Sequence, residues 1–418
     1  MRLLAIDSPA KKELGKIYHS MLKTSSAEQS TMQKSSFAAS AETLKKCAVF
    51  LTEVYEFVVK TYLPQKCVLY TFTPKDAVKV ISNMKNYSIS SEKEYFDVLQ
   101  SIALEVFGNK LSTLDDHYNF HVAVIERATN ILGTGMLDDT TLYTRLSCVD
   151  GIIRPIPKTE IEKFLRQELL GYEKSHEELF INFNDEVLEM ATKLEHILGA
   201  GGHVLAVGTS GSGRRLLTKY ISHLLGLEFK TFFPTRTYKL REFKKDIRRV
   251  LEMSGIQNKK TVLLLEDQHF EDEQCLDLVN TFLSSGDVQG LIKSEEIEQM
   301  LGKDGVDELM KKQVGNTVLD SFILRVKENL RLVISLDHSA VGFAKQVSFN
   351  PALTKVCSCI WAREWKIESK QRFLLDELTK MKNASAIVQD QYFQKVFLQI
   401  HYKSTKPLLF LYDYIKCF

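Results

Sequence analysis

In the first half of the chain, apolar side chains recur every three or four positions. Leu44, Cys47, Leu51, Val54 and Val58 form one such stripe. Ala77, Val78, Ile81 and Met84 form a second, behind a proline at position 74 that suits a first helical turn. Tyr95, Val98, Leu99, Ile102 and Val106 form a third. Together they predict a small helical domain. The Ser/Thr/Ala-rich stretch TSSAEQSTMQKSSFAASAET, ahead of and into the first stripe, predicts an exposed loop. Between about 130 and 158 glycines, paired aspartates and two prolines predict a connector. Thr159 and Glu162 have capping-box spacing at the start of a further helical region, which Val187, Met190, Ala191, Leu194 and Ile197 continue as far as Gly199.

From Gly201 the pattern changes to short apolar runs alternating with amphipathic ones. HVLAV, LEFKTFF, TVLLLED, NLRLVISLD and CSCIW predict strands. RRLLTKYISHLL, the stripe Leu240, Phe243, Ile247, Val250 and Leu251 up to Gly255, and a segment from Cys275 to Leu283 predict helices. Apolar strands separated by helices imply a parallel sheet covered on both faces, an α/β fold. The last fifty residues return to helical character.

Composition narrows the function classes. With 418 residues, 44% hydrophobic and 26% charged, the chain has room for two or three domains. A formal charge of +2 gives no field to draw in nucleic acid. No run of about 18 apolar residues is present to span a membrane. Seven scattered cysteines suit a reducing compartment, and Cys357 with Cys359 reads as a pair of structural thiols, because no second pair completes a metal site. His117 and His121 are four apart but lack the glutamate of H-E-x-x-H. The basic run FKKDIRRV reads as the solvated face of a helix.

The candidate chemistry lies in GTSGSGRRL. A glycine loop between strand and helix turns backbone N–H groups towards a phosphate at the helix N-terminus. Gly208, Thr209, Ser210, Gly211, Ser212, Gly213, Arg214 and Arg215 are the candidate nucleotide-binding set. Gly208 and Gly213 fit G-x-x-x-x-G-K-[ST], but arginines replace the Lys and the hydroxyl residue. Such a turn needs no ligand by itself; the acidic pair that follows about fifty residues later strengthens the nucleotide reading. The strand Val262 to Leu265 runs into Glu266, the candidate metal ligand, and Asp267, the candidate catalytic carboxylate. Arg214 keeps a positive charge for phosphate in a planar fork. Arg215 removes the metal-binding hydroxyl, and the Glu-Asp order displaces both carboxylates by about one methylene from the usual Asp-Glu arrangement. ATP or ADP is therefore expected to bind with Mg2+ poorly held and hydrolysis weak or absent.

The same motifs, with YTFTPKDAV, ALEVFGNKL, FLSSGDVQGL, VKENLRLVISLD and FNPAL in order, resemble those of dynein heavy chains, the AAA+ ring of a minus-end-directed microtubule motor. The double arginine with LLLED is most like the cytoplasmic dynein 2 type of intraflagellar transport. The resemblance implies the end of a third AAA+ module with its helical lid over 1–130, a connector over 131–158, the P-loop α/β subdomain of a fourth module over 159–366, and the start of its lid over 367–418, ahead of the stalk. It implies neighbouring AAA+ modules and dynein subunits as partners, microtubule contact only through regions absent from this chain, no nucleic acid or membrane partner, and a place in cytoplasm, cytoskeleton and cilium.

It also implies roles for single residues. Asp337 stands where the family carries a sensor Asn or similar residue, a second catalytic candidate. Lys345, Gln346 and Val347 stand near where an arginine often reaches a neighbour's nucleotide, while Lys75 and Leu408 replace lid arginines. A regulatory or structural module is the resulting expectation. The alternatives are a ring-building interaction module without nucleotide and an autonomous AAA+ ATPase.

Overall fold

The computed structural model describes residues 9–380 apart from 32–36, 38, 136, 149–150, 236–237, 287–290, 313–316 and 364. The expectations for Leu408 and the end of the lid lie outside the described residues. Two compact units emerge, one of residues 1–157 with 344–361, the other of 158–343 with 362–418.

The first unit opens with α1 (Lys11–Thr31), α2 (Ala41–Thr61), α3 (Pro74–Asn83), α4 (Glu92–Gly108) and α5 (Leu114–Leu132). The predicted stripes bury together: Cys47, Leu51, Val54, Val58, Ile81, Leu99 and Ile102 share one core. Hydroxyls set the helix starts. Ser40, Ser91 and Thr113 each accept the backbone N–H three residues on, and α5 ends on Gly133 in the left-handed region (φ 72°). The predicted exposed loop is corrected in its first part. Residues 24–31 continue α1, whose Leu14, Tyr18, Leu22 and Ser25 are buried along one face. Three apolar residues spaced by four carry the helix into a polar stretch that composition alone reads as loop. The region expected as a connector contains a ladder, β1 (Thr141–Thr144) antiparallel to β2 (Arg154–Pro157).

Two ion pairs tie this unit, one buried and one whose lysine is exposed. Lys110 meets Asp76 at 2.8 Å with both side chains almost fully enclosed. Asp116 accepts Lys66 Nζ at 2.6 and 2.8 Å and the Tyr70 hydroxyl at 2.8 Å. Burial pushes the Asp116 carboxyl up, but its bonds from Lys66, Tyr70 and Thr113 outweigh that and hold it below the ordinary carboxylate range. A group depressed on folding stabilises fully above its unfolded value, about 3.9 for Asp, and the contribution disappears as pH falls through the folded value. Asp116→Asn is expected to flatten the acid limb of this unit's stability against pH, below about pH 4. An unchanged acid limb in amide-exchange protection of α2 to α5 would contradict that.

The second unit begins with α6 (Lys158–Glu173) and α7 (Asp185–Gly199). Because α6 starts at Lys158, Thr159 lies inside its first turn and the expected capping box gives way: Glu162 bonds Arg166 and Arg372 instead. The predicted alternation follows as β3 (Val204–Gly208), α8 (Arg214–Leu224), β4 (Glu228–Thr231), α9 (Leu240–Gly255), β5 (Thr261–Glu266), α10 (Glu273–Ser285), α11 (Ser294–Lys312), α12 (Val318–Asn329) and β6 (Leu330–Leu336). The short helix α13 (Phe343–Phe349) from its second residue, α14 (Ala352–Lys355) and most of β7 (Ser358–Ala362) fall within residues 344–361 of the first unit, and α15 (Ile367–Lys380) completes the described part of the second. Within the second unit the strand order is β4-β5-β6-β3, with all four pairing in parallel. VLAVG and LRLVISL are buried at every position, as a sheet covered on both faces requires. On α9 Phe243, Ile247 and Val250 face inward while Lys244, Lys245 and Arg249 are exposed, as the basic run predicted.

Candidate functional site

The order β5-β6-β3 decides the geometry of the site. Ser335 on β6 is level with Ala206 of β3 on one side and Glu266 of β5 on the other. At about 4.8 Å per strand spacing, the glycine loop and the acidic pair are held about 10 Å apart, with Asp337 at the end of the strand between them. All eleven predicted site residues belong to this one end of the sheet, the loop over β3, the acidic pair at the end of β5.

The loop has the backbone a phosphate cradle needs. Gly211 (φ 83°) and Gly213 (φ 78°) take left-handed conformations. A side chain at Gly208 would put its Cβ 2.8 Å from the Ala362 carbonyl oxygen and 2.9 Å from the Ala362 Cβ, so only glycine fits there. Ahead of the first closing bond of α8, from Leu217 N–H to the Gly213 carbonyl, the N–H groups of Arg214, Arg215 and Leu216 stand in the unsatisfied first turn.

The side chains are committed to neighbours. Arg214 is buried, and its Nη1 donates to the carbonyls of Leu336 at 2.6 Å and Ala206 at 3.2 Å, its Nη2 to that of Thr209 at 3.3 Å. Burial pulls this guanidinium below its ordinary value, and the charges of Asp267, Asp337 and Glu266 oppose the shift. Arg215 Nη1 pairs with Glu266 Oε2 at 3.2 Å. Ser210 N–H donates to Asp337 Oδ2 at 2.9 Å, and Ser339 N–H to Asp337 Oδ1 at 2.9 Å. Burial pushes the Asp337 carboxyl up, but these N–H bonds, with help from Arg214, leave it below the ordinary range. Asp267 Oδ2 accepts Asp337 N–H at 2.9 Å, and burial leaves the Asp267 carboxyl above its ordinary value.

The residues fit a phosphate and do not fit Mg2+. The cradle is a backbone property, with its left-handed glycines in place and its Ser210 N–H engaged by Asp337. A hard cation needs oxygen ligands, and Arg215, where the P-loop pattern carries a hydroxyl, is a guanidinium paired with Glu266, the candidate metal ligand. Among the described residues no group of three or more His, Cys, Asp or Glu is arranged to hold a metal, and His117 and His121 stand side by side on α5, ring centroids 6.4 Å apart. Cys357 and Cys359 are buried thiols, with burial raising that of Cys357 to about 12. Among the described residues no helix is long and apolar enough to cross a membrane.

One positioning residue escaped the sequence reading. Buried His269 has Nδ1 2.8 Å from Glu266 N and Nε2 3.0 Å from the Phe232 carbonyl oxygen. A ring protonated on Nε2 satisfies both, taking the Glu266 N–H and donating to Phe232, and so holds the backbone of the acidic pair. Its spacing three residues after Glu266 was the available signal, but Phe232 is distant in sequence.

A family model described as the P-loop containing dynein motor region D4 matches residues 179–412, more than half of the chain. The chain belongs to this dynein family. It is 28% identical to cytoplasmic dynein 2 heavy chain 1 of Chlamydomonas reinhardtii over 92% of its own length and 9% of that protein's. Against cytoplasmic dynein 2 heavy chain 1 of Homo sapiens it is 28% identical over 89% of its length and 9% of the relative's. Dynein axonemal heavy chain 6 of Homo sapiens is 24% identical over 72% of the chain and 8% of that protein. The chain thus spans about a tenth or less of the length of the curated dyneins it matches. Membership of a P-loop dynein region agrees with the α/β fold and implies nucleotide binding in general terms.

Proposed function

We propose that this chain forms a segment of the motor ring of a minus-end-directed, dynein 2-type microtubule motor, and that its glycine loop holds ATP or ADP as a regulatory or structural ligand that it hydrolyses poorly. The observation that carries this reading is the Arg215–Glu266 pair. It leaves the phosphate cradle intact while occupying the carboxylate that magnesium-dependent hydrolysis would use. In this reading residues 1–130 close a third AAA+ module, 131–158 connect, 159–366 form the P-loop part of the fourth, and 367–418 begin its lid. Its partners are the adjoining AAA+ modules and the subunits of a dynein complex, and its setting is cytoplasm, cytoskeleton and cilium. Microtubules are reached only through other parts of the motor.

Calorimetric titration of the full chain with ATP and with ADP tests this. Binding is expected with both, with less than about a threefold change on adding Mg2+, and turnover is expected well below about one per second, the lower end of common enzyme rates. No heat at millimolar nucleotide would favour the second reading, a ring-building module without nucleotide. That reading draws support from the inward commitment of Arg214. Turnover near one per second, roughly the lower end of common enzyme rates, would end the claim of poor catalysis.

A further inference from the structure

We propose that Asp337 is a specificity-determining residue of this site: its carboxylate competes with the terminal phosphate of a nucleotide for the glycine loop, so that the site disfavours the triphosphate relative to the diphosphate. This rests on the reading that the loop binds nucleotide at all. The loop's Ser210 N–H, one of the donors a cradled phosphate draws on, is given to Asp337 Oδ2 at 2.9 Å. The acid is held in place from three sides. Its other oxygen takes Ser339 N–H, its own N–H is fixed by Asp267 Oδ2 at 2.9 Å, and Arg214 ties the adjacent strand ends by bonding the Leu336 and Ala206 carbonyls.

A phosphate entering the cradle therefore meets an anion within hydrogen-bond distance of a donor it needs. Asp337 must give up Ser210 N–H, and the two negative groups then face each other at short range. Arg214 does not relieve that repulsion freely, because its Nη1 and Nη2 already bond three carbonyls. Glu266, the candidate ligand for a bridging magnesium ion, is itself paired with Arg215. The longer and more negative triphosphate suffers most, because it places more charge in the gap between β3 and β5 where Asp337 sits.

Asp337→Asn and Asp337→Ser remove the charge, the first keeping an oxygen for Ser339 N–H. Each full-length variant would be titrated with ATP and with ADP by calorimetry, after a thermal melt shows the folded fraction unchanged. Both variants are expected to bind ATP about tenfold tighter than the unaltered chain and ADP by a clearly smaller factor, so the ATP-to-ADP affinity ratio rises. A merely structural role would weaken both nucleotides together. Unchanged affinities in either variant that binds, or equal weakening of both ligands, overturn the proposal while leaving nucleotide binding in place. Absence of binding in all three proteins overturns instead the reading on which it rests. If one variant fails to fold, the other decides.

Discussion

Replacing Lys110 by methionine is expected to lower the stability of the helical unit by about 3–5 kcal/mol, the usual cost of stranding one partner of a buried ion pair. The Lys110 ammonium meets Asp76 at 2.8 Å, donates to the Thr71 carbonyl at 2.9 Å and lies over the Phe72 ring, 5.4 Å from its centroid. Methionine fills much of the same volume, so the loss is of charge rather than of packing. Asp76 would remain enclosed, bonded to Thr73 N–H at 2.8 Å and to the Thr73 hydroxyl at 3.3 Å but without the ammonium that meets it directly. Its position in the first turn of α3 compounds the effect, since the same carboxylate organises the helix start behind Thr73. Adding Asp76→Asn to K110M should recover much of the loss, because the amide keeps an oxygen for Thr73 N–H without a stranded charge. Amide exchange in α2 to α5 assigns the change to this unit, which bulk melting of a chain with two units does not. Protection in K110M equal to the unaltered chain would show that the pair is not holding the unit together.

The second large effect is expected from Arg214→Leu in the α/β unit. Three backbone carbonyls, those of Leu336, Ala206 and Thr209, lose their donor together. At about 1–3 kcal/mol for each buried group left unsatisfied, and with Thr209 near enough to the surface to find water, a loss of about 3 kcal/mol is expected. The cation that offsets Asp267 and Asp337 goes with it. Lysine at this position should recover only part, because a compact ammonium does not span carbonyls on two strands as a planar fork does. Faster amide exchange along β3 and β6 is the readout. If R214L exchanges no faster than the unaltered chain, the guanidinium is not fastening those strand ends and remains free to serve a phosphate.

That contrast shows where sequence reasoning reached and where it stopped. The stripes Cys47, Leu51, Val54 and Val58 of α2 and the buried runs of β3, β5 and β6 were legible, because local periodicity and burial are two views of one constraint. The continuation of α1 through residues 24–31 was obscured by Ser and Thr, which favour loops unless an apolar face such as Leu14, Tyr18 and Leu22 carries the helix on. The ladder of β1 and β2 was missed because two prolines in four residues argue against a strand, though they are tolerated in a short two-stranded ribbon. At the site, the residue types were all in view. What they bond to was not.

The sequence by itself determined the inventory of this dynein-family segment: a helical unit, an alternating α/β unit, a glycine loop with two arginines and a Glu-Asp pair at a strand end. Hydrophobic period and the conformational freedom of glycine are local properties, so a linear reading recovers them. Only the tertiary structure decided that β6 lies between the loop and the acidic pair, which brings Asp337 onto Ser210, Arg215 onto Glu266 and Arg214 beneath the strand ends. Strand order is set by the packing of the whole sheet, and partners separated by fifty to more than a hundred residues leave no periodic trace in the chain.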